Sequence, residues 1–182
     1  RSIVNEIDIE DLIQEEEVVI TLTHSGYIKR ISADTYSAQR RGGKGIQAMS
    51  TKEDDFVEHL MITSTHSDVL FFTNKGRVYK LRAYEIPDAG RQAKGTNIIN
   101  LIAIEADEKI QTVLTATDGK REGFLFMGTK QGIVKKTPVS EFRNLRKNGL
   151  IAISLKDGDE LLGHVVSYAC NSMMLWEQLN KS

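Results

Sequence analysis

The stretch "VITLTHSGYIKRI", Val19 to Ile31, reads as two strands joined by a tight turn. Its arms are rich in β-branched and aromatic residues, which suit a pleated sheet. "HSG" between them is a turn sequence, and Gly26 can take the positive φ that a short hairpin requires. The same frame returns in "LFFTNKGRVYKL" (Leu70 to Leu81) and in "LFMGTKQGIVKKT" (Leu125 to Thr137). Each copy has an apolar strand, a Thr, two polar residues, a Gly, and an alternating strand with basic residues near its end. The hairpin glycines Gly26, Gly76 and Gly132 stand 50 and 56 residues apart.

Each frame runs on into a loop rich in Arg, Lys and Gly: "QRRGGKGI", then "GRQAKGTNI", then "RNLRKNGLI". The closing glycines Gly45, Gly95 and Gly149 follow the hairpin glycines by 19, 19 and 17 residues. More strand-like runs come after the loops. "NIINLIAI" (Asn97 to Ile104) is followed by "IQTVLTAT" (Ile110 to Thr117), and "LIAISL" (Leu150 to Leu155) by "ELLGHVV". That gives about four strands per repeat, and four-stranded units at this period predict an all-β array of propeller-like blades. Helical periodicity is scarce before the tail, and only two prolines occur, Pro87 and Pro138.

A chain of 182 residues can hold one domain with a real core or two small ones. Its 40% hydrophobic and 27% charged content is ordinary for a globular protein. No apolar run approaches a membrane span, and "RSIVNEIDIEDLIQEEE" has no signal-peptide pattern. The single cysteine, Cys170, excludes an internal disulfide framework and points to a reducing compartment.

The net charge of −1 hides a strong segregation. Residues 1–20 sum to −6, 26–52 to +5, 53–68 to −5, 74–95 to +4, 96–118 to −3 and 120–147 to +6. Positive charge therefore sits on the hairpin and loop of every repeat, and negative charge on the connecting segments. Equivalent positions of a repeat array fall on one face or rim. A recurring basic cluster there suits a long polyanion whose phosphates are neutralised a few per blade. Loop glycines let backbone N–H groups approach phosphate closely. The alternative is that the loops are simply solvated. Three loops in register, with acid segregated away from them, favour the polyanion.

Catalytic and metal signatures are absent from the sequence. After Gly43–Lys44 a P-loop needs Ser or Thr, and Gly45 stands there instead. His24, His59, His66 and His164 lack metal-ligand spacing with Cys or acids, so neither a metal nor another cofactor is expected. "EDD" (Glu53 to Asp55) and "DGDE" (Asp157 to Glu160) read as solvated turns, Phe71, Phe72, Phe124 and Phe126 as core, and the five tyrosines as strand or surface residues. Cys170 has no His and acid arranged for nucleophilic catalysis.

"QRRGGKG", Gln39 to Gly45, matches in every position the gyrase A box, the heptapeptide marking the C-terminal domain of the DNA gyrase A subunit. "VVITLTHSGYIKR" just before it is similar to the first-blade hairpin of that family, and "GRQAKG" and "RNLRKNG" look like decayed copies of the box. The resemblance covers residues 1 to about 163, three of the six blades usual in the family. It implies a β-pinwheel whose neighbouring blades exchange strands, here an incomplete ring, with double-stranded DNA bent around the outer rim to support negative supercoiling. The partners implied are the rest of the gyrase A subunit, together with the gyrase B subunit, in the cytoplasm and nucleoid-associated. The implied organisation is an acidic run-in at 1–17, a partial pinwheel at 18–166 and an atypical tail at 167–182. After Gly163, "HVVSYACNSMMLWEQLNKS" departs from the family pattern, and no further blade strand is expected from 167 on.

The expected DNA contacts are Gln39, Arg40, Arg41, Gly42, Gly43, Lys44 and Gly45 in the box and Lys29 and Arg30 on the adjoining strand. Lys80, Arg91 and Lys94 make the second cluster, and Lys135, Lys136, Arg143, Arg146 and Lys147 the third. No catalytic residue is expected within the chain. Three other readings stay open: a topoisomerase IV-type domain, a protein-interaction propeller marked by exposed apolar surface and salt-insensitive affinity, and a propeller hydrolase, for which no convergent acids and histidines are found.

Overall fold

In the computed structural model, which describes residues 9–37, 55–116, 123–142, 144–145 and 148–168, the opening stretch folds back on itself as a hairpin. Strands β1 (Glu17–Thr23) and β2 (Tyr27–Ser32) pair antiparallel, Val19 facing Ile31 and Leu22 facing Ile28. The second and third frames supply β4 (Asp68–Thr73) with β5 (Arg77–Arg82), and β8 (Gly123–Thr129) with β9 (Val134–Pro138). Each hairpin glycine has positive φ and donates its N–H to the frame Thr: Gly26 to Thr23, Gly76 to Thr73 and Gly132 to Thr129. The Thr hydroxyl then accepts from the backbone N–H of the residue after the glycine, Tyr27, Arg77 or Ile133, at 3.1, 3.3 and 3.1 Å. One buried side chain thus fixes the turn that the sequence repeats three times.

Each second strand runs into a short helical segment: α1 (Ala33–Ser37) after β2, and 3-10 turns at Ala83–Glu85 and Val139–Phe142 after β5 and β9. The remaining strands are β3 (Val57–Ser64), β6 (Thr96–Asn97), β7 (Ile110–Ala116), β10 (Leu150–Ile151) and β11 (Leu161–Tyr168). They complete three sheets, ordered β3-β1-β2-β6, β10-β5-β4-β7 and β11-β8-β9.

The first two sheets each borrow a strand from the following repeat. β6 lies on β2 with Thr96 opposite Ile28, and β10 lies on β5 with Leu150 opposite Val78. Both borrowed strands directly follow a closing glycine, Gly95 or Gly149. They are shorter than expected: of "NIINLIAI" only Asn97 is paired, with Thr96 before it, and a 3-10 turn follows, Ile98–Asn100. The Asn97 side chain accepts from Ile99 N and turns the chain, while Ile98 and Ile102 are buried as anchors. In "LIAISL" strand pairing stops after Ile151, because Ala152 and Ile153 both donate to Gly76 O.

Contacts divide the chain into two compact units, one of Arg1–Leu70, Lys80–Ile104 and Val113–Asp118, the other of Phe71–Tyr79, Glu105–Thr112 and Gly119–Ser182. In the first, Val18, Val19, Ile20 and Leu22 of β1 are buried in an almost unbroken run, so both faces of this strand are covered. That is why its sequence is nearly continuous in apolar residues rather than alternating. The acidic lead-in packs on the same unit: Thr65 Oγ1 donates to Gln14 O, and Glu10 pairs with Arg82 at 2.9 Å.

In the second unit Phe71 and Phe72 are buried as expected, with Phe72 edge-on to Phe142. Phe124 and Phe126 are not core. β8 alternates, with Leu125 and Met127 turned inward, Phe124 exposed and Phe126 half-buried. β11 pairs with β8 through Tyr168, opposite Gly123, so strand structure enters the stretch from 167 on that was expected to hold none. Residues 161–168 belong to the third sheet, and the rest of the tail lies outside the described residues.

Candidate nucleic-acid interface

The second basic loop, Pro87 to Gly95, is the one whose cluster the structure describes in full. It is fastened along β2. Arg30 N donates to Pro87 O and Ala89 N donates to Arg30 O, both at 3.1 Å. At the far end Gly95 has φ +87°, and a Cβ there would lie 2.4 Å from Ile28 O. Only glycine can bring the chain that close to a neighbouring strand. Between these points the loop closes a turn, Ala93 N to Gly90 O at 3.0 Å.

Lys29 lies beneath that turn. Only 2% of its surface is exposed, and its Nζ donates to the carbonyls of Gly90 (3.3 Å), Arg91 (2.7 Å) and Ala93 (3.0 Å). Burial pushes its pKa below the ordinary lysine value. Lys29 was expected to touch DNA, but its ammonium is spent on three main-chain oxygens and does not reach the surface. Arg30, next along the strand, is half-buried. Lys94 is exposed and rests its ammonium 3.7 Å from the centre of the Tyr27 ring. Arg91 is half-buried and donates from Nη2 to Thr35 O at 3.3 Å.

The other described contact residues differ in their surroundings. Lys80 stands 3.5 Å from Asp68, which also meets Arg82 at 3.3 Å, so acid is mixed into this cluster rather than segregated from it. In the third repeat Lys135 is exposed along its stem while its Nζ donates to Ala152 O at 2.7 Å. Lys136 is exposed and lies 3.9 Å over the Phe124 ring. Gln39 to Gly45, and Arg143, Arg146 and Lys147, lie outside the described residues.

In the second repeat the position of Lys29 is taken by Tyr79. It is fully buried, donates from its phenol to Glu108 Oε2 at 2.9 Å, and packs where a Cβ on Gly149 would come within 2.7 Å of its ring. Burial first, and then the hydrogen bond to Glu108, push its pKa up to about 12. The same carboxylate accepts from Thr73 Oγ1 (3.1 Å) and from Glu105 N (3.0 Å).

This acid has counterparts that the sequence reading missed. Asp55 Oδ1 accepts from Ser25 N, and Asp159 Oδ1 from Gln131 N, both at 2.9 Å across the hairpin turn. Partial burial opposes ionisation of both aspartates, yet hydrogen bonds from the turn, including those from Thr23 and Thr129, hold their pKa values below the ordinary one. The residue after each acid accepts from the residue after the frame Thr: His24 N to Phe56 O, Asn74 N to Lys109 O and Lys130 N to Glu160 O. Asp55 of "EDD" and Asp159 of "DGDE" are therefore turn latches, while Asp157, Gly158 and Glu160 are exposed as expected of a solvated turn. The signal was an acid two places before each of the runs starting at Val57, Ile110 and Leu161. Among the described residues no group of His, Cys, Asp and Glu could hold a metal ion, and no helix is long and apolar enough to cross a membrane.

Successive hairpin sheets, the first two of which take an edge strand from the next repeat, define a β-pinwheel, the strand-exchanging form of a propeller array. The profile of the DNA gyrase C-terminal domain, a beta-propeller, matches residues 17–64, 67–117 and 123–163, one match for the main strands of each sheet. The chain belongs to that family. It is 66% identical over 158 residues to the DNA gyrase A subunit of Clostridium acetobutylicum, covering 87% of this chain and 19% of the relative. It is 54% identical over 154 residues to the DNA gyrase A subunit of Streptococcus pneumoniae serotype 4, covering 84% and 19%. The chain thus spans about a fifth of the length of these relatives. Among solved structures it resembles the C-terminal domain of DNA topoisomerase IV (TM-score 0.73, 29% identity, 85% of this chain and 47% of that one). It also resembles the DNA gyrase A C-terminal domain (TM-score 0.64, 28% identity, 85% and 49%).

Proposed function

We propose that this chain is a DNA-bending segment of a gyrase A subunit, engaging duplex DNA chiefly through its phosphates. The observation that carries the reading is the loop Pro87–Gly95: a glycine-containing basic segment pinned to a strand, with Lys94 held at the surface. Phosphate contacts fix register and carry little sequence information, so preference among sequences should come from deformability. Bending a site of 20–30 bp by 40–90° costs on the order of 1–6 kcal/mol, more than one loop supplies. Arg30, Arg91, Lys94 and Lys136 act with the box residues Gln39 to Gly45 and with Arg143, Arg146 and Lys147. Lys80 and Lys135 contribute less, because Asp68 and Ala152 O compete for their ammonium groups.

In this reading the run-in 1–17 joins a DNA-cleaving portion of the same polypeptide, the blades of 18–166 carry the DNA, and 167–182 form the tail. Strand cleavage and ATP use belong to the rest of the gyrase A subunit, together with the gyrase B subunit, in the cytoplasm, and the segment itself catalyses nothing. Identity of 66% to a gyrase polypeptide favours the gyrase assignment, while the solved topoisomerase IV and gyrase domains, at 29% and 28%, do not separate the two. Exposed Leu60 and Ile62 on β3 are the observation on the side of a protein-binding surface.

Salt dependence separates the two. With about six phosphates engaged, log K for a linear duplex falls against log salt with a slope near −5, from about 0.9 per phosphate. A slope near zero, or equal binding to a neutral polymer, refutes the DNA reading.

A further inference from the structure

Lysine is almost never fully buried unless its charge is satisfied. Lys29 meets that condition with carbonyls alone. An ammonium has three donors, and each goes to one oxygen of a single turn, at Gly90, Arg91 and Ala93. These are main-chain oxygens of the very loop that carries Arg91 and Lys94. A loop that receives phosphate has to keep its carbonyl oxygens away from the anion, because their partial negative charge repels it. Lys29 collects three of them from below.

The rest of the loop is fastened at its ends, by Arg30 to Pro87 and Ala89 and by the close approach of Gly95 to Ile28. Its middle is fixed to β2 through Lys29. The role also fits the repeat. Three residues past the next hairpin glycine stands Tyr79, and its ring supports the closing glycine of the following loop, Gly149.

We propose that Lys29 is a positioning residue: it contacts no DNA, and it shapes the loop 87–95 so that Arg91 and Lys94 can. The proposal rests on the DNA reading above and assigns one strand residue of the first repeat to the binding loop of the second.

Four variants of the full chain test it: K29M, K29Y, R91A/K94A, and R91A/K94A with K29M. K29Y places at 29 the residue type of the equivalent position 79, whose phenol supplies one donor where the ammonium supplies three. Duplex binding is measured over a range of salt, and amide exchange of Arg91, Ala93 and Lys94 is followed by NMR without DNA. R91A/K94A should reduce the salt slope by about 1.8, from two phosphate contacts at about 0.9 each. K29M and K29Y should reduce it by more than the single contact a surface lysine could lose, and should speed exchange in the loop. K29M added to R91A/K94A should change affinity by less than about twofold, since the side chains it positions are gone.

Parent-like slope and exchange in K29M and K29Y overturn the inference. So does a full additional loss when K29M joins R91A/K94A, which would make Lys29 a contact in its own right. If R91A/K94A binds as the parent does, the loop is no DNA contact and the inference falls, whereas the DNA reading beneath it falls only on a parent slope near zero. An effect of R91A/K94A without one of Lys29 overturns the inference alone.

Discussion

Gly95 and Gly26 lie in the same unit and share a backbone conformation, with φ +87° and +85°, but differ in what surrounds them. A Cβ at Gly95 would stand 2.4 Å from Ile28 O and 3.0 Å from Lys29 Cβ, whereas one at Gly26 would make ordinary contacts of 3.6 and 3.7 Å. Alanine at either position incurs the left-handed penalty of about 1–2 kcal/mol. Either change also restricts the unfolded chain, which returns about 0.4–1 kcal/mol. These terms cancel between the two variants. What remains is the overlap at Gly95. Its nearest atom is backbone of a paired strand and cannot swing away, so forced repacking of about 1–3 kcal/mol is expected. Urea titrations followed by far-UV circular dichroism should therefore place Gly95→Ala about 1–3 kcal/mol below Gly26→Ala at equal m-value. If the two agree within about 0.5 kcal/mol, the range in which independent changes simply add, the loop is not seated on β2 and its pinning is wrong.

Two further outcomes concern the buried acids and the phenol. Tyr79 has a folded pKa of about 12 against about 10 unfolded, so the unfolded chain loses this proton first and stability falls as pH rises from the lower value to the higher. The loss should approach about 2–3 kcal/mol; Tyr79→Phe should abolish that part of the alkaline slope, and an unchanged slope refutes the assignment. Asp159 has a lowered pKa, so its contribution is present above the ordinary aspartate value of about 3.9 and is lost as pH falls through the folded one. Asp159→Asn should flatten the acid limb of stability against pH, read by urea midpoints in acidic buffers; a limb as steep as the parent's counts against the turn latch.

The hairpins were legible because three chemical demands coincide at each one: a strand former, a buried Thr whose hydroxyl accepts from the return strand, and a glycine with positive φ. The repeat made the coincidence visible in the sequence. The fates of individual lysines were not legible. Lys29 and Arg30 are neighbours in one basic dipeptide, yet one is caged beneath a loop and the other half-buried beside it, because adjacent strand residues face opposite ways. Which of the two turns inward depends on a loop some sixty residues away. The latching acids escaped for a related reason. Asp55, Glu108 and Asp159 sit in charged surroundings that read as solvent-facing, and only the hairpin turn brought against them uses the charge. "NIINLIAI" has strand composition throughout, but Asn97 caps a 3-10 turn and is the one residue of the stretch left in strand β6, after Thr96.

The borrowed strands put a clock on biosynthesis. Thr96 follows its partner Ile28 by 68 residues, and Leu150 follows Val78 by 72. At about 5–20 residues per second of translation, the edge of each hairpin waits roughly 3–14 s on the ribosome for the strand that seals it. An open edge is the surface on which nascent chains mispair, so closure of the first two repeats runs from the N-terminus onward, each finished by its successor. The arrangement also makes repeats interchangeable in descent. Thr96–Asn97 on Tyr27–Ile28 and Leu150–Ile151 on Arg77–Val78 share one register. A gain or loss of one whole repeat hands the waiting edge an equivalent strand, whereas a break within a repeat leaves the sheet before it unsealed.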